Sequence, residues 1–363
     1  ETTVLSGTPQ ARKIVESDRA EDWYRRRVGE VLPMETVEGA PVHRIRLPER
    51  DSDKRSALLA AELLRHCRKP KNPPDIVQLL TTLRPSLKPH LAKIRSLGIP
   101  ILYAHTSNVQ WPSNPIKRVM RRIGFRSICR HIDCIIASSS AAGDVLRQIG
   151  VRNRIEVIPN GVDLQRFRQT GDEPERMSLR ASLGIPNGAQ TIVFVGTINP
   201  LKGVDLLLEA WIPLARRFPQ AQLYLIGMRH DLNSPRLHDF KEKLDSLVAA
   251  SQAAHRVHFL GYISNVEDYL KVADIMAFPS KTEGMGNAVL EAMACGVATV
   301  LTPYIGLPSE FGKAEHEYLL AERDPTALAA SMERLLADPE LRRSIGGNAL
   351  AWVEQTMDVE RTL

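Results

Sequence analysis

Short apolar, β-forming runs alternate along the whole chain with segments whose apolar residues recur every three to four positions. That alternation predicts βαβ units and a parallel sheet, and it occurs twice. In the first half the expected strands cover residues 2–7, 42–47, 75–80, 100–104, 134–137 and 154–158, with helical segments near 54–68, 86–97 and 139–149. In the second half they cover 191–196, 222–227, 257–261, 274–278, 297–302 and 318–320. Between the halves, the polar stretch 166–188 contains Gly171, Pro174, Pro186 and Gly188 and reads as a linker. The expected fold class is α/β: two doubly wound domains, residues 1–165 and 189–363, facing a central cleft. Ligands of such sheets bind outside the carboxyl ends of the strands, so the active site is expected between the domains. Gly196, Gly227 and Gly261 each close an expected strand, where a side chain would obstruct a ligand approaching the backbone.

A length of 363 residues suits two domains, each with its own core. With 43% hydrophobic, 25% charged and 5% aromatic residues, the composition is globular, and no apolar run approaches the length that spans a bilayer. The four cysteines (Cys67, Cys129, Cys134, Cys295) have no CxxC spacing, which predicts idle thiols in a reducing, cytoplasmic setting rather than a disulfide frame or structural zinc. The opening Glu1-Thr-Thr-Val-Leu-Ser-Gly7 predicts a strand, not a secretory leader, and the chain is expected to be truncated at both ends.

Charge divides unevenly. The net +6 is +11 over residues 1–165 and −5 over 166–363. A basic half fits nucleic acid, an anionic membrane surface or a phosphorylated substrate; nucleic acid is disfavoured because no helix-turn-helix, zinc finger or RNP-type motif is present.

The sharpest local signal is Glu283-Gly-Met-Gly-Asn-Ala-Val-Leu-Glu291-Ala-Met-Ala-Cys-Gly296. Asn287 is suited to cap a short helix and Gly296 to end it. The unpaired amides at the helix start form an anion site, which Gly284 and Gly286 would let a phosphate approach, with Met285 between them as part of the donor-binding loop. Two carboxylates flank it, Glu283 before the helix and Glu291 inside it, and carboxylates accept hydrogen bonds from hydroxyl groups. A diphosphate with a polyhydroxylated group at each end, a nucleotide sugar, would satisfy both. The bland alternative makes both glutamates solvated surface charges.

This segment resembles the EX7E motif of the retaining nucleotide-sugar glycosyltransferases with the GT-B fold, in particular glycosyltransferase family 4. The resemblance extends in order along nearly the whole chain: Arg154-Ile-Glu-Val-Ile-Pro-Asn-Gly-Val-Asp-Leu-Gln-Arg-Phe167, Phe194-Val-Gly-Thr-Ile-Asn-Pro-Leu-Lys-Gly203, Val257-His-Phe-Leu-Gly261 and Ala273-Asp-Ile-Met-Ala-Phe-Pro-Ser280. It implies two Rossmann-like domains, the second binding a nucleotide sugar without a metal or other cofactor, UDP-sugars being slightly favoured over GDP-sugars through Asn287. It implies that Glu283 contacts the donor sugar, Glu291 the ribose and Lys202 the diphosphate, with Gly196 and Thr197 in the same loop. His105, in Ile101-Leu-Tyr-Ala-His105, would bind the donor sugar; a buried structural histidine is the alternative. The implied activity is transfer of a hexose, with retention, to a glycan or lipid-linked acceptor in cell-surface polysaccharide or glycolipid synthesis.

The chain also departs from the family. Thr197 stands where many members carry Arg, which leaves a catalytically impaired binding or scaffold subunit as the rival reading. An opening strand with a glycine-rich acceptor loop is not evident before residue 2. Asp51-Ser-Asp53 matches the DXD pattern of metal-dependent enzymes but lies far from the donor motifs. Finally, residues 115–130 predict a basic amphipathic helix, with Ile116, Val119, Met120 and Ile123 at helical spacing beside Lys117, Arg118, Arg121 and Arg122. Either the apolar stripe packs on the sheet below a solvated basic face, or the helix docks on the inner face of an anionic membrane.

Overall fold

The computed structural model describes residues 4–9, 34–37, 40–47, 52–69, 73–105, 113–228 and 237–362. The chain forms two compact units, one of Glu1–Ser138 and Ala142–Val157, the other of Ser139–Ala141 and Ile158–Leu363. The four cysteines are free thiols, and no helix among the described residues is long and apolar enough to cross a membrane.

The strands of the first unit are β1 (Val4–Pro9), β2 (Met34–Val37), β3 (Ala40–Leu47), β4 (Val77–Leu79), β5 (Ile101–His105), β6 (Cys134–Ala137) and β7 (Arg154–Val157). Its helices are α1 (Ser52–Cys67), α2 (Lys88–Ser96), α3 (Pro115–Cys129) and α4 (Ser140–Gln148), whose first residues fall to the second unit. β4 to β7 form a parallel sheet in chain order, and β1 pairs parallel with β3. The sequence pattern missed β2, which pairs antiparallel with β3. The core of this unit joins Leu87, Leu91, Ile94, Ile101, Ile128 and Ile135.

In the second unit, α5 (Glu173–Ser182) precedes β8 (Gln190–Val195), α6 (Val204–Arg217), β9 (Ala221–Ile226), α7 (His238–Ala250), β10 (Val257–Gly261), α8 (Val266–Val272), β11 (Ile275–Phe278), α9 (Asn287–Ala294), β12 (Ala298–Leu301), β13 (Leu319–Leu320), α10 (Pro325–Ala337) and α11 (Pro339–Thr356). The stretch expected to be a linker is part of this unit: Asp172 caps α5 through Glu175 N, and buried Arg180 donates to the carbonyls of Val272 and Ala189. Proline and glycine there bracket a docked helix instead of marking a tether.

The second sheet is wholly parallel, in the order β10-β9-β8-β11-β12-β13. The chain starts at β8, runs outward through β9 to β10, and returns to β11 on the other side. The order therefore reverses between β8 and β11, and at such a switch point the loops leaving the two strands diverge and open a crevice. Both strands are buried on both faces, by α6, α7 and α10 on one side and by α8, α9 and α11 on the other, which explains their continuous apolar runs.

Candidate functional site

The two loops that leave the switch point carry the residues singled out in the sequence. After β8, residues 196–203 lead into α6; an Asx turn, with Asn199 Oδ1 accepting from Leu201 N at 2.9 Å, shapes the approach to Lys202. Gly203 begins α6 in the left-handed region, where a Cβ would lie 2.1 Å from the Pro279 carbonyl oxygen. Only glycine lets this loop seat against the end of β11. The second loop, 279–286, is tied to the first by Lys281 N donating to Leu201 O at 2.8 Å.

These backbone contacts bring two of the expected site residues together. Lys202 Nζ lies 2.6 and 2.8 Å from the two carboxylate oxygens of Glu283, with the side chains only 24% and 12% exposed. Ser280 Oγ also bonds Glu283 Oε1, so lysine and serine together hold the carboxylate. Beneath them Arg323 Nη1 donates to Ser280 O at 2.8 Å and to Thr302 Oγ1 at 3.0 Å, and its other nitrogen abuts Gly203. Ser280 and Arg323 were missed in the sequence; the Pro-Ser before Lys281 was visible, but an arginine 43 positions after Ser280 offered no local signal.

Helix α9 follows. Its N-cap is Gly286, in the left-handed region, not Asn287, which is the first helical residue. The expected Asn287 cap is thus corrected: its side-chain oxygen accepts instead from Asn160 Nδ2 at 2.9 Å. The first amides to bond back are Val289 and Leu290, both to Gly286 O. Tyr304 donates to Met285 O at 3.3 Å and fixes that loop from behind. Gly296 ends the helix as expected, with Val297 N bonding Ala292 O at 3.1 Å.

Glu291 sits one turn along α9 and lines a cavity of about 240 Å3 with Gly161, Val162, Asp163, Phe167, Asn287, Leu290 and Val359. Burial pushes its carboxyl up to about 7; Arg166 nearby pulls it down and Glu267 adds to the rise. Arg166 reaches across from Asp163, whose side chain caps Arg166 N at 3.0 Å, and pairs with Glu267 at 2.8 Å.

Of the strand-end glycines, Gly227 departs from the expectation. A Cβ on Gly227 would lie 2.0 Å from Gly196 O, so the requirement there is backbone against backbone, not backbone against ligand. Gly261 has open space around its Cβ direction. Thr197, half-buried, lies in the β8 loop.

In the first unit His105 ends β5. It is 2% exposed, Tyr103 Oη lies 3.3 Å from Nδ1, and Nε2 has no partner among the described residues. Burial lowers its pKa to about 4, so the ring is neutral near pH 7. Of the DXD triplet, Asp51 lies outside the described residues, and Ser52 and Asp53 open α1.

Comparison with known proteins identifies the family and the fold. Residues 14–166 match the sequence model of Glycosyltransferase Family 4, and residues 175–352 that of Glycosyl transferases group 1. The chain belongs to glycosyltransferase family 4 and has the GT-B fold. Similar curated proteins include the D-inositol 3-phosphate glycosyltransferases of Segniliparus rotundus, 29% identical over 274 residues (70% of this chain, 57% of the relative), and Kineococcus radiotolerans, 30% over 264 residues (66% and 60%). The chain thus spans under two thirds of their length. Among solved structures, Anabaena Alr3699/HepE in complex with UDP-glucose superposes with a TM-score of 0.73 at 20% identity, covering 99% of this chain and 88% of that one. Sucrose-phosphate synthase from Thermosynechococcus elongatus gives 0.73 at 23%, covering 90% and 82%. At that identity the likeness speaks for the fold.

Proposed function

We propose that this chain transfers a hexose from a nucleoside diphosphate sugar, UDP-linked in preference to GDP-linked, to a glycan or lipid-linked acceptor with retention of configuration. The observation that carries the reading is the Lys202–Glu283 pair at the switch point, one loop before a helix start and eight residues before Glu291. A diphosphate placed there meets the helix amides and the lysine ammonium. Glu283 would accept from sugar hydroxyls on one side and Glu291 from ribose hydroxyls on the other. UDP and UDP-glucose bound to the Anabaena neighbour support the uridine preference.

In the free protein Lys202 is neutralised by Glu283, so donor binding exchanges one anionic partner for another. Charge on the departing diphosphate is then met by preorganised groups. Retention follows from the family likeness and fits a same-face displacement. The bond from the anomeric carbon to phosphate breaks, the bond to the acceptor oxygen forms, and the acceptor proton passes to the departing phosphate oxygen. No metal or cofactor enters this scheme, and free thiols with a nucleotide-sugar donor support a cytoplasmic setting. Synthesis of surface polysaccharide or glycolipid is the setting we favour.

Calorimetric titration with UDP, GDP and uridine, followed by hydrolysis of UDP-glucose, tests the reading. Diphosphate-dependent binding together with turnover supports it. Binding without turnover in the full-length protein would favour a scaffold subunit, and no binding would reject the donor site.

A further inference from the structure

Helix α3 is built the wrong way round for a packed helix. Asn114 caps it, its side chain accepting from Lys117 N at 3.1 Å, and Pro115 occupies the first turn. Its buried residues are Phe125, Ile128 and Cys129, all in the second half. The stripe Ile116, Val119, Met120 and Ile123, spaced i, i+3, i+4, i+7, lies on the opposite side and is 70%, 54%, 67% and 61% exposed. The expectation that this stripe packs on the sheet is therefore overturned. Four large apolar side chains in one continuous exposed row are what an interaction surface shows, not a scatter of isolated residues.

The charge around the row says what it fits. On the helical projection Lys117 borders it on one side and Arg126 on the other, with Arg121 and Arg122 farther round the helix. Lys117, Arg121 and Arg126 are exposed, whereas Arg118 and Arg122 are half-buried and Arg118 donates to Ser113 O, so the latter two contribute less than their spacing suggested. Residues 76–132 contain ten Lys and Arg and no Asp or Glu. A second copy of this chain would set one basic row against another.

We propose that α3 lies in the interface of an anionic bilayer, with Ile116, Val119, Met120 and Ile123 among the acyl chains and Lys117, Arg121 and Arg126 at the headgroups. An apolar row bordered by cations is the arrangement that anchors an interfacial helix, through apolar burial and attraction to anionic lipid together. The proposal stands apart from the donor reading. A chain that binds vesicles but not UDP would overturn only the latter.

The test is co-sedimentation of the chain with vesicles of phosphatidylglycerol and phosphatidylcholine, or of phosphatidylcholine alone, at low and high salt. Variants are Ile116→Ser/Val119→Ser/Met120→Ser/Ile123→Ser and Lys117→Gln/Arg121→Gln/Arg126→Gln, each checked for an unchanged melting temperature. Binding to the anionic vesicles alone is expected, weakened at least tenfold by high salt and by either variant. Equal sedimentation with neutral vesicles, or a variant that binds as the parent does, overturns the proposal. So does a concentration-dependent dimer, seen by ultracentrifugation and abolished by the serine variant, without vesicle binding; that result would assign the row to a second copy.

Discussion

The crevice of the second unit and helix α3 of the first treat charge in opposite ways. In the second unit cations are answered inside the protein: at the crevice Lys202 by Glu283 and Arg166 by Glu267, and at the amino ends of β8 and β11 Arg176 by Asp274 at 3.1 Å, with Asp274 also anchoring Thr191 N. The apolar residues of β11 beneath the crevice are buried. On α3 the apolar row is exposed, within a stretch of chain that holds no carboxylate. Internal pairing fixes geometry, which a site for a small polar ligand needs. Charge left facing outward sets long-range attraction to a surface instead.

The contrast within α3 is the easiest to break. Ile128→Ala removes a side chain that is 2% exposed and should cost roughly 2–5 kcal/mol of stability, whereas Ile116→Ser should stay within about 0.5 kcal/mol. Urea denaturation of the two variants measures this. Comparable losses would show that the row is packed after all.

At the crevice, Lys202→Ala should weaken UDP binding by about 2 kcal/mol, close to 30-fold, and uridine binding hardly at all. It removes a cation and also leaves the Glu283 carboxylate facing the diphosphate. Adding Glu283→Gln in that background should therefore restore part of the affinity. Alone, Glu283→Gln should slow turnover roughly 10–100-fold, the loss of a charge-assisted hydrogen bond, while UDP affinity holds or rises. Strictly additive calorimetric effects across this cycle would mean that the pair does not govern the phosphate position.

Glu291 gives a smaller, pH-resolved effect. Its carboxyl titrates near 7 in the folded chain against an ordinary 4.5, so the stabilisation of the protonated form is complete below about 4.5 and lost as pH rises through 7. The ionised form accepts hydrogen bonds from ribose hydroxyls more strongly than the protonated one, so UDP affinity should move the other way. With about a tenth of the chains ionised at pH 6 and nine tenths at pH 8, it should rise about tenfold between them. Calorimetry across that range tests this; Glu291→Gln should flatten the profile, and a flat parent profile would reject the role.

What could be read from the sequence follows from which contacts are local. The β8–α6 and β11–α9 units were legible because strand composition, helical spacing and the glycine at the end of α9 act within a few residues of one another. The cap of α9 was not, since Asn287 pairs with Asn160, 127 positions away. Arg323 under Ser280 and the seating of Gly203 on Pro279 are likewise long-range. For α3 the amphipathic pattern was plain, but which side packs is decided by the neighbours Leu87 and Leu91, and no periodicity holds that information.

The finest probe of the contrast is Thr197. It stands in the β8 loop where many family members carry Arg, and the one cation of that loop, Lys202, is shared with Glu283. If internal pairing limits the charge available to a diphosphate, an added guanidinium beside Lys202 should help the anion without disturbing the pair. Thr197→Arg should then tighten UDP about fivefold, near 1 kcal/mol, because a half-buried site gives an ion pair more than a surface one but less than a dry interior. UMP should gain less than UDP, and uridine nothing. An unchanged UDP affinity would show that the lysine and the helix amides already saturate the phosphate, making the crevice less charge-starved than its internal pairing implies. An equal gain for uridine would place the new side chain against the base, and the assignment of this loop to the diphosphate would fail.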